Sequence, residues 1–518
     1  MSDQKGKKLF TCFIDFQKAF DSVWHDGLFR KLENKGINGN FLNLIKNIYN
    51  STKCAVKINN KTTNFFKYER GVQQGNPLSP LLFNLFINDI FEATKNDHSM
   101  LTLDEVRKFN TLMYADDLIL MSTTKEGLQK SLNALYDYCH KWKLNINMKK
   151  TKTMIFSQGT NIKHTKFYLN GTEISDTRTF KYLGITINSK NCSFTATLED
   201  LSSKAKRATY ALLNKLPLKL TPIKTLVKLF DTCIVPILLY GSEIWAPFTN
   251  LEWKKWEYTH IEKVHTQFLK RILGVNRSTT NALVRAELGR HSLLEQITNR
   301  NINYIKYIQN KSPQALVKQA AAYEDTCNSR TNLHSIFKKY EHANLNHNLN
   351  TLSKYKIRSI IKNDFNLKWQ TYINSYTKAD TFKSFKNIVK FEPYLEDIEN
   401  RKYRVAFSKL RLSDHCLMIE KGRQSRPILS REQRKCPFCT TEIENEVHFI
   451  TKCSAYNRFH LYEAISLQTP NFRFLNNEQQ FIFLMSQEDQ NITYTLAHCT
   501  FYWLKTRRER DNINNLSL

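Results

Sequence analysis

The chain has 518 residues, 41% hydrophobic and 12% aromatic, which excludes a disordered polypeptide and leaves material for more than one domain. A formal charge of +30, from 77 Lys and Arg against 47 Asp and Glu, favours a polyanionic partner, nucleic acid first. Eleven cysteines, an odd number scattered along the chain, argue for reduced thiols and an intracellular protein rather than a disulfide framework.

A membrane is the rival polyanionic surface, but no apolar run reaches the roughly 18 residues of a spanning helix, and residues 80–87 and 233–240 are short and interrupted. The N-terminus has no apolar core of the kind a secretory leader needs. No membrane partner is expected.

Residues 9–16 read as an apolar, aromatic strand that delivers Asp15 at its end. A carboxylate there is costly to desolvate unless it meets a cation, which makes Asp15 a candidate metal ligand; a helix cap is the plainer alternative. Phe20, five residues on, places a flat ring where a sugar could rest, or simply packs in the core. Residues 28–49 have helical periodicity with a break at Gly36, and 55–58 with 65–68 alternate like a small hairpin turning at Asn59-Asn60. The run Arg70-Gly71-Val72-Gln73-Gln74-Gly75-Asn76-Pro77-Leu78-Ser79-Pro80 predicts a loop of fixed shape before a helix over 81–91. In it Gly75 allows close backbone approach to a nucleotide, and Gln74 offers an amide to a sugar or base edge.

Residues 112–121 read as two short apolar strands with an Ala-Asp-Asp turn between them, carrying Asp116 and Asp117 at the tip. Two adjacent acids suit a divalent cation such as Mg²⁺, and a pair of such ions clamps the attacking and leaving oxygens of phosphoryl transfer. A solvated acidic turn is the plainer reading of this tetrapeptide taken alone. Further on, 203–214, 222–235 and 252–273 predict amphipathic, lysine-bearing helices, and 299–395 reads as Asn/Lys-rich helix without evident chemistry. Residues 401–435 hold eleven Lys and Arg against three acids, which reads as a nucleic-acid patch. Directly behind stand Cys436, Cys439, His448 and Cys453, a C-x2-C-x8-H-x4-C spacing that suits structural Zn²⁺.

Three motifs stand in order: Phe13-Ile14-Asp15-Phe16-Gln17-Lys18-Ala19-Phe20-Asp21, Gln74-Gly75-Asn76-Pro77-Leu78-Ser79-Pro80 and Tyr114-Ala115-Asp116-Asp117. Trp142-Lys143-Leu144-Asn145-Ile146-Asn147-Met148-Lys149-Lys150-Thr151-Lys152 and Phe180-Lys181-Tyr182-Leu183-Gly184-Ile185 follow them. The set resembles the palm and primer-grip motifs of reverse transcriptases, in wording closest to the non-LTR (LINE-type, jockey-like) retrotransposon polymerases.

The resemblance implies an α+β right-hand polymerase: an antiparallel palm sheet with helices over 1–190 and a helical thumb over 191–300. A helical extension over 301–400 and a basic, zinc-knuckle module over 401–518 would follow. It implies that Asp15, Asp116 and Asp117 hold two Mg²⁺, and that Phe20 excludes a ribose 2′-hydroxyl while Gln74 and Gly75 line the dNTP pocket. Lys150 or Lys152 would protonate pyrophosphate, and Tyr182, Leu183 and Gly184 would grip the primer. Template RNA, a target-DNA primer and dNTPs are the implied partners, in a cytoplasmic ribonucleoprotein and in the nucleus. The short stretch before Asp15 implies a C-terminal part without fingers or endonuclease. Two rivals remain at this point: a group II intron maturase-like protein, and a dead remnant that only binds nucleic acid.

Overall fold

The N-terminal strand is β1, Lys8–Ile14, and its alternation decides which groups meet. In this computed structural model residues 8–96, 99–102, 108–157, 165–189, 194–248, 252–326, 340, 351–466 and 469–516 are described. The strand is followed by helices α1 (His25–Asn34), α2 (Gly39–Ser51) and α3 (Ser79–Ile87). Then come β2 (Thr111–Tyr114), β3 (Asp117–Ser122), α4 (Lys125–Trp142) and β4 (Lys152–Ser157). Two hairpins close the region: β5 (Phe167–Leu169) with β6 (Thr172–Ile174), and β7 (Thr179–Tyr182) with β8 (Ile185–Asn188).

The four long strands form one antiparallel sheet in the order β4-β1-β3-β2. Phe10, Cys12 and Ile14 of β1, with Leu118 and Leu120 of β3, enter the larger core beneath α1, α3 and α4. The alternate residues Phe13, Ile119 and Met121 join Met154 on the opposite face, where Phe180 and Tyr182 pack. Period-two alternation therefore puts the β7–β8 hairpin over the face that Asp15 and Asp117 share.

Helix α4 is a well-built element. Thr124 accepts a hydrogen bond from Gly127 N at its start, and Lys143 closes it in the left-handed region at φ 56°. Its buried Leu128, Leu132, Leu135 and Cys139 repeat at helical spacing against the sheet. The chain then runs back past the end of β1: Gln17 N donates to Asn145 O, Asn147 N donates to Asp15 O, and Phe16 bridges Ile146.

The chain divides into two compact units, 1–197 with 308–331, and 198–307 with 332–518. The second is helical among its described residues, with α5 (Thr195–Lys215), α6 (Ile223–Cys233), α7 (His260–Leu273), α8 (Asn281–Glu287), α9 (Leu293–Gln309) and α10 (Lys354–Ser375). The later helices are α11 (Arg401–Arg411), α12 (Phe459–Ser466), α13 (Asn477–Met485) and α14 (Gln490–Leu516). A satisfied ionic cluster sits inside it. Glu262 accepts from Trp256 Nε1 at 2.9 Å, Arg285 Nη1 at 3.0 Å and Leu293 N at 2.9 Å, and lies 3.0 Å from His265 Nδ1. With this many partners the carboxyl is held down to about 2 despite full burial.

Two expectations change. The turn at Asn59-Asn60 is real, but Lys57–Ile58 pairs with Lys61–Thr62, while Phe66–Lys67 pairs further out with Lys53–Cys54. Both asparagines adopt positive φ, which suits a two-residue turn and pulls the strands together at once. The basic stretch 401–435 is not one surface patch. Arg404 is buried and donates to Ile398 O, Arg434 is buried against Leu429 O, and buried Arg411 pairs with Glu287 and Glu392. Those guanidiniums serve the interior; Lys402, Arg426, Arg431 and Lys435 are the exposed cations. Among the described residues no helix is long and apolar enough to cross a membrane.

Candidate active site

β1 pairs antiparallel with β3 up to Ile14 opposite Leu118. One step further, Asp15 stands opposite Asp117, and directly opposed side chains on such strands lie about 4.5–5.5 Å apart at Cβ. The loop between β2 and β3 is shorter than expected from the sequence: Tyr114 pairs with Asp117, leaving only Ala115 and Asp116 in the turn. Ala115 has φ 52°, the left-handed region at the first turn position, a local strain that fixes the tip. All three aspartates are half-buried.

Burial first, then the charges of Asp116 and Asp15, push the Asp117 carboxyl up, and Lys150 opposes the shift. Asp15 is better provided. Asn147 Nδ2 donates to Asp15 Oδ2 at 3.0 Å, and Lys150 Nζ lies 3.6 Å from Asp15 Oδ1. The Asp15 backbone N donates to Thr151 Oγ1 at 3.4 Å. The segment after α4 thus holds Asp15 by side chain and main chain together.

A cavity of about 390 Å³ opens on this face, lined by Phe13, Asp15, Asp117, Lys150, Lys152 and Tyr182 among others. Phe180 stacks on Phe13 at 4.2 Å between ring centroids, and Tyr182 OH donates to Asp117 O at 3.5 Å. Tyr182 leads into the hairpin tip, where Leu183 at φ 46° and Gly184 at φ 82° form a two-residue turn. A partly exposed leucine in the left-handed region is costly for a branched side chain. Lys152 is turned to Ser175, its Nζ 2.6 Å from Ser175 Oγ.

Phe20, Gln74 and Gly75 lie outside that cavity lining and are linked to one another through the 70–76 loop. Val72 N donates to Phe20 O at 2.8 Å, and Gln74 Nε2 donates to Asp21 Oδ1 at 3.4 Å. One face of Phe20 stacks on Phe83 at 4.4 Å, which accounts for part of the ring by core packing. Gly75 has φ 89° and open space where a Cβ would be, so its backbone conformation rather than a protein neighbour requires glycine. Asn147, Thr151 and Phe180 are site residues that the sequence reading does not single out. Their signal is position: each falls in a segment that returns to β1.

Cys436, Cys439, His448 and Cys453 converge in the second unit, with their ligand atoms all within 4.8 Å of one another. Cys436 Sγ lies 3.7 Å from Cys453 Sγ, and Cys439 Sγ lies 3.5 Å from His448 Nε2. A tetrahedron with Zn–S bonds of about 2.3 Å has S···S edges near 3.8 Å, so the donor set fits a closed zinc site. Cys436 N donates to Glu442 O and Thr440 N to Cys436 O, both at 2.8 Å, which shapes the tight turn. His448 Nδ1 lies 3.1 Å from Glu442 Oε2, a carboxylate that fixes which ring nitrogen faces the thiols. Glu442 too goes unnoticed in the sequence.

Residues 1–187 match the family described as reverse transcriptase (RNA-dependent DNA polymerase). A probable RNA-directed DNA polymerase from transposon BS of Drosophila melanogaster is 28% identical over 56% of this chain and 32% of its own length. The mobile element jockey polymerase of Drosophila funebris is 26% identical over 52% of this chain and 29% of its length. A type-1 R2 retrotransposable element polyprotein of Nasonia vitripennis is 31% identical over 36% and 19%. The chain therefore spans a third or less of the length of these relatives. A telomerase structure from Candida albicans aligns at 12% identity over 72% of this chain and 49% of that one, with a TM-score of 0.32, too slight a likeness to bear on the fold. Residues 1–187 are thus similar to reverse transcriptase domains, and the relatives that share this stretch include polymerases of non-LTR mobile elements such as jockey and R2.

Proposed function

We propose that this chain is the RNA-directed DNA polymerase of a non-LTR retrotransposon, extending a target-DNA primer on template RNA with dNTPs. The observation that carries the proposal is the opposition of Asp15 and Asp117 at adjoining strand ends, with Asp116 beside them. Burial and then the charges of Asp116 and Asp15 raise the proton affinity of Asp117, a cost that stands unless cations arrive. Two Mg²⁺ held by Asp15, Asp116 and Asp117 would supply the charge that steadies an attacking 3′-oxygen and a departing pyrophosphate.

The rest falls to the chain's own groups. Asn147 orients Asp15 through its amide, and Lys150, at the same carboxylate, is placed to give a proton to a pyrophosphate oxygen. Lys152, engaged with Ser175, is the weaker candidate for that transfer. Tyr182, Leu183 and Gly184 present a rigid tip to a primer strand, and Phe20, Gln74 and Gly75 border the sugar of an incoming nucleotide. In this reading 1–190 is the palm, 191–300 a thumb, 301–400 a helical extension, and 401–518 a module built on Zn²⁺ held by Cys436, Cys439, His448 and Cys453. Exposed Arg426, Arg431 and Lys435 beside that module suit phosphate contacts.

Binding of Mn²⁺ as a Mg²⁺ surrogate, followed by its paramagnetic resonance signal, tests the reading. The full chain with primer–template and dTTP should bind Mn²⁺ that Asp15→Asn and Asp117→Asn both lose. Equal binding by the variants would refute the assignment of these acids.

A further inference from the structure

The second unit contains a cavity of about 440 Å³, within the range of small-ligand sites, about 300–1,000 Å³. Its walls come from residues 253–258, the loop between α7 and α8, and the C-terminal turns of α10. Two kinds of side chain share it. Tyr258 is 76% exposed, and Tyr372 and Tyr376 stack on each other at 5.5 Å and 19°. Lys254 and Arg277 are exposed cations of the same lining.

Further features point to a ligand. The Thr279 hydroxyl, on a residue 2% exposed, has no hydrogen-bond partner among the described residues and belongs to the cavity wall. The one carboxylate of the lining, Glu257, is already engaged by Arg285 and Asn281, so it offers little repulsion to an anion. Lys270, buried beneath, donates to Arg277 O at 2.7 Å and braces the loop that carries Arg277.

Aromatic faces alone would suit any apolar ligand, and cations alone any phosphate backbone. Together in one cavity they match a nucleotide whose base is unstacked and whose phosphate lies at the rim. Bases inside a duplex are paired and stacked, so they cannot enter. We infer that this cavity captures an unpaired nucleotide of a single-stranded nucleic acid, its base against Tyr258 and the Tyr372–Tyr376 pair and its phosphate at Lys254 and Arg277. This cavity shares no lining residue with the one at Asp15 and Asp117, and capture of a nucleotide there requires no synthesis.

The test uses the full chain and fluorescent 12-nucleotide single strands, one RNA and one DNA, with a blunt duplex as control. Tyr258→Ala should weaken single-strand binding about 5- to 50-fold, leave duplex binding within about twofold, and be rescued by Tyr258→Phe. Lys254→Ala/Arg277→Ala should weaken single-strand binding and flatten its salt dependence. Strands carrying 5-iodouracil should photocrosslink within 253–258 or 372–376. Preference for RNA, for DNA or for neither supports the site and identifies which strand supplies the nucleotide. Unchanged single-strand affinity in Tyr258→Ala and Tyr376→Ala, an equal loss on duplex, or crosslinks confined to other segments would overturn it, whatever the polymerase assay shows.

Discussion

Asp15 and Asp117 face each other across neighbouring antiparallel strands, one register step beyond the Ile14–Leu118 pair. That relationship places two like charges on one face, and burial with Asp116 adds to the strain on Asp117. Its pKa is raised in the folded state, so the folded protein holds this proton more tightly than the unfolded chain. The associated stabilisation is present below the ordinary carboxylate pKa and is lost as pH rises through the raised folded value. Thermal melts without divalent cation should therefore fall as pH rises above the ordinary carboxylate range, and Asp117→Asn should melt higher than wild type at neutral pH. Added Mg²⁺ should narrow the difference. A variant that melts lower at neutral pH without metal would contradict this account.

Asn147 acts through Asp15, as a positioning residue. Asn147→Ala removes the 3.0 Å hydrogen bond to Asp15 Oδ2 but leaves the main-chain bond to Asp15 O. Incorporation should drop roughly tenfold, with kcat falling and KM for dTTP nearly unchanged, because Asp15 loses the amide that fixes its orientation. Asn147→Gln should recover little, since the longer amide cannot keep the same reach. Unchanged incorporation, or a rate loss that only follows a lowered melting temperature, would contradict the positioning role.

Leu183 is held at φ 46° at an exposed hairpin tip. Leu183→Gly relieves that backbone strain, so folding stability should stay level or rise by up to about 1 kcal/mol. If the tip contacts the primer, extension from a mismatched or short primer should nonetheless suffer several-fold. Stability and activity moving in opposite directions is the informative signature; loss of both would mean that Leu183 is a packing residue.

The thiol cluster predicts one equivalent of zinc per chain, measured by elemental analysis. Glu442→Gln should lower zinc affinity about 10- to 100-fold by loosening the His448 ring, without removing a ligand. A chelator should lower the melting temperature of wild type more than that of Cys436→Ser. Arg507 supports the same module: it pairs with Glu444, and both side chains are 1% exposed. Arg507→Ala should cost about 3–5 kcal/mol, because it strands a buried carboxylate.

The placement of Asp15, Asp116 and Asp117 is legible in the sequence because the local pattern fixes them to strand ends and a turn. Asp15 stands one residue beyond β1, and the hairpin at Asp116-Asp117 needs only alternation to be seen. Helix α4 carries no such motif, so it stays in the background although Leu128, Leu132, Leu135 and Cys139 repeat properly. The basic stretch misleads for a different reason. Sequence reports charge, and burial decides what the charge meets: Arg411 reaches Glu287, 124 residues away, while Arg404 and Arg434 turn inward to the main-chain oxygens of Ile398 and Leu429. Asn147 and Glu442 are hidden likewise, since their roles depend on chain segments crossing in space.

The acids at the sheet end are proposed to form a polymerase centre. Primer extension by the 518-residue chain on poly(rA)/oligo(dT) with dTTP and Mg²⁺, beside Asp116→Asn/Asp117→Asn, addresses it most directly. The predicted result is incorporation that falls by at least about 10²-fold in the variant while primer–template binding is retained. Incorporation that is indifferent to the two substitutions, or absent from wild type while it binds primer–template, would contradict the claim.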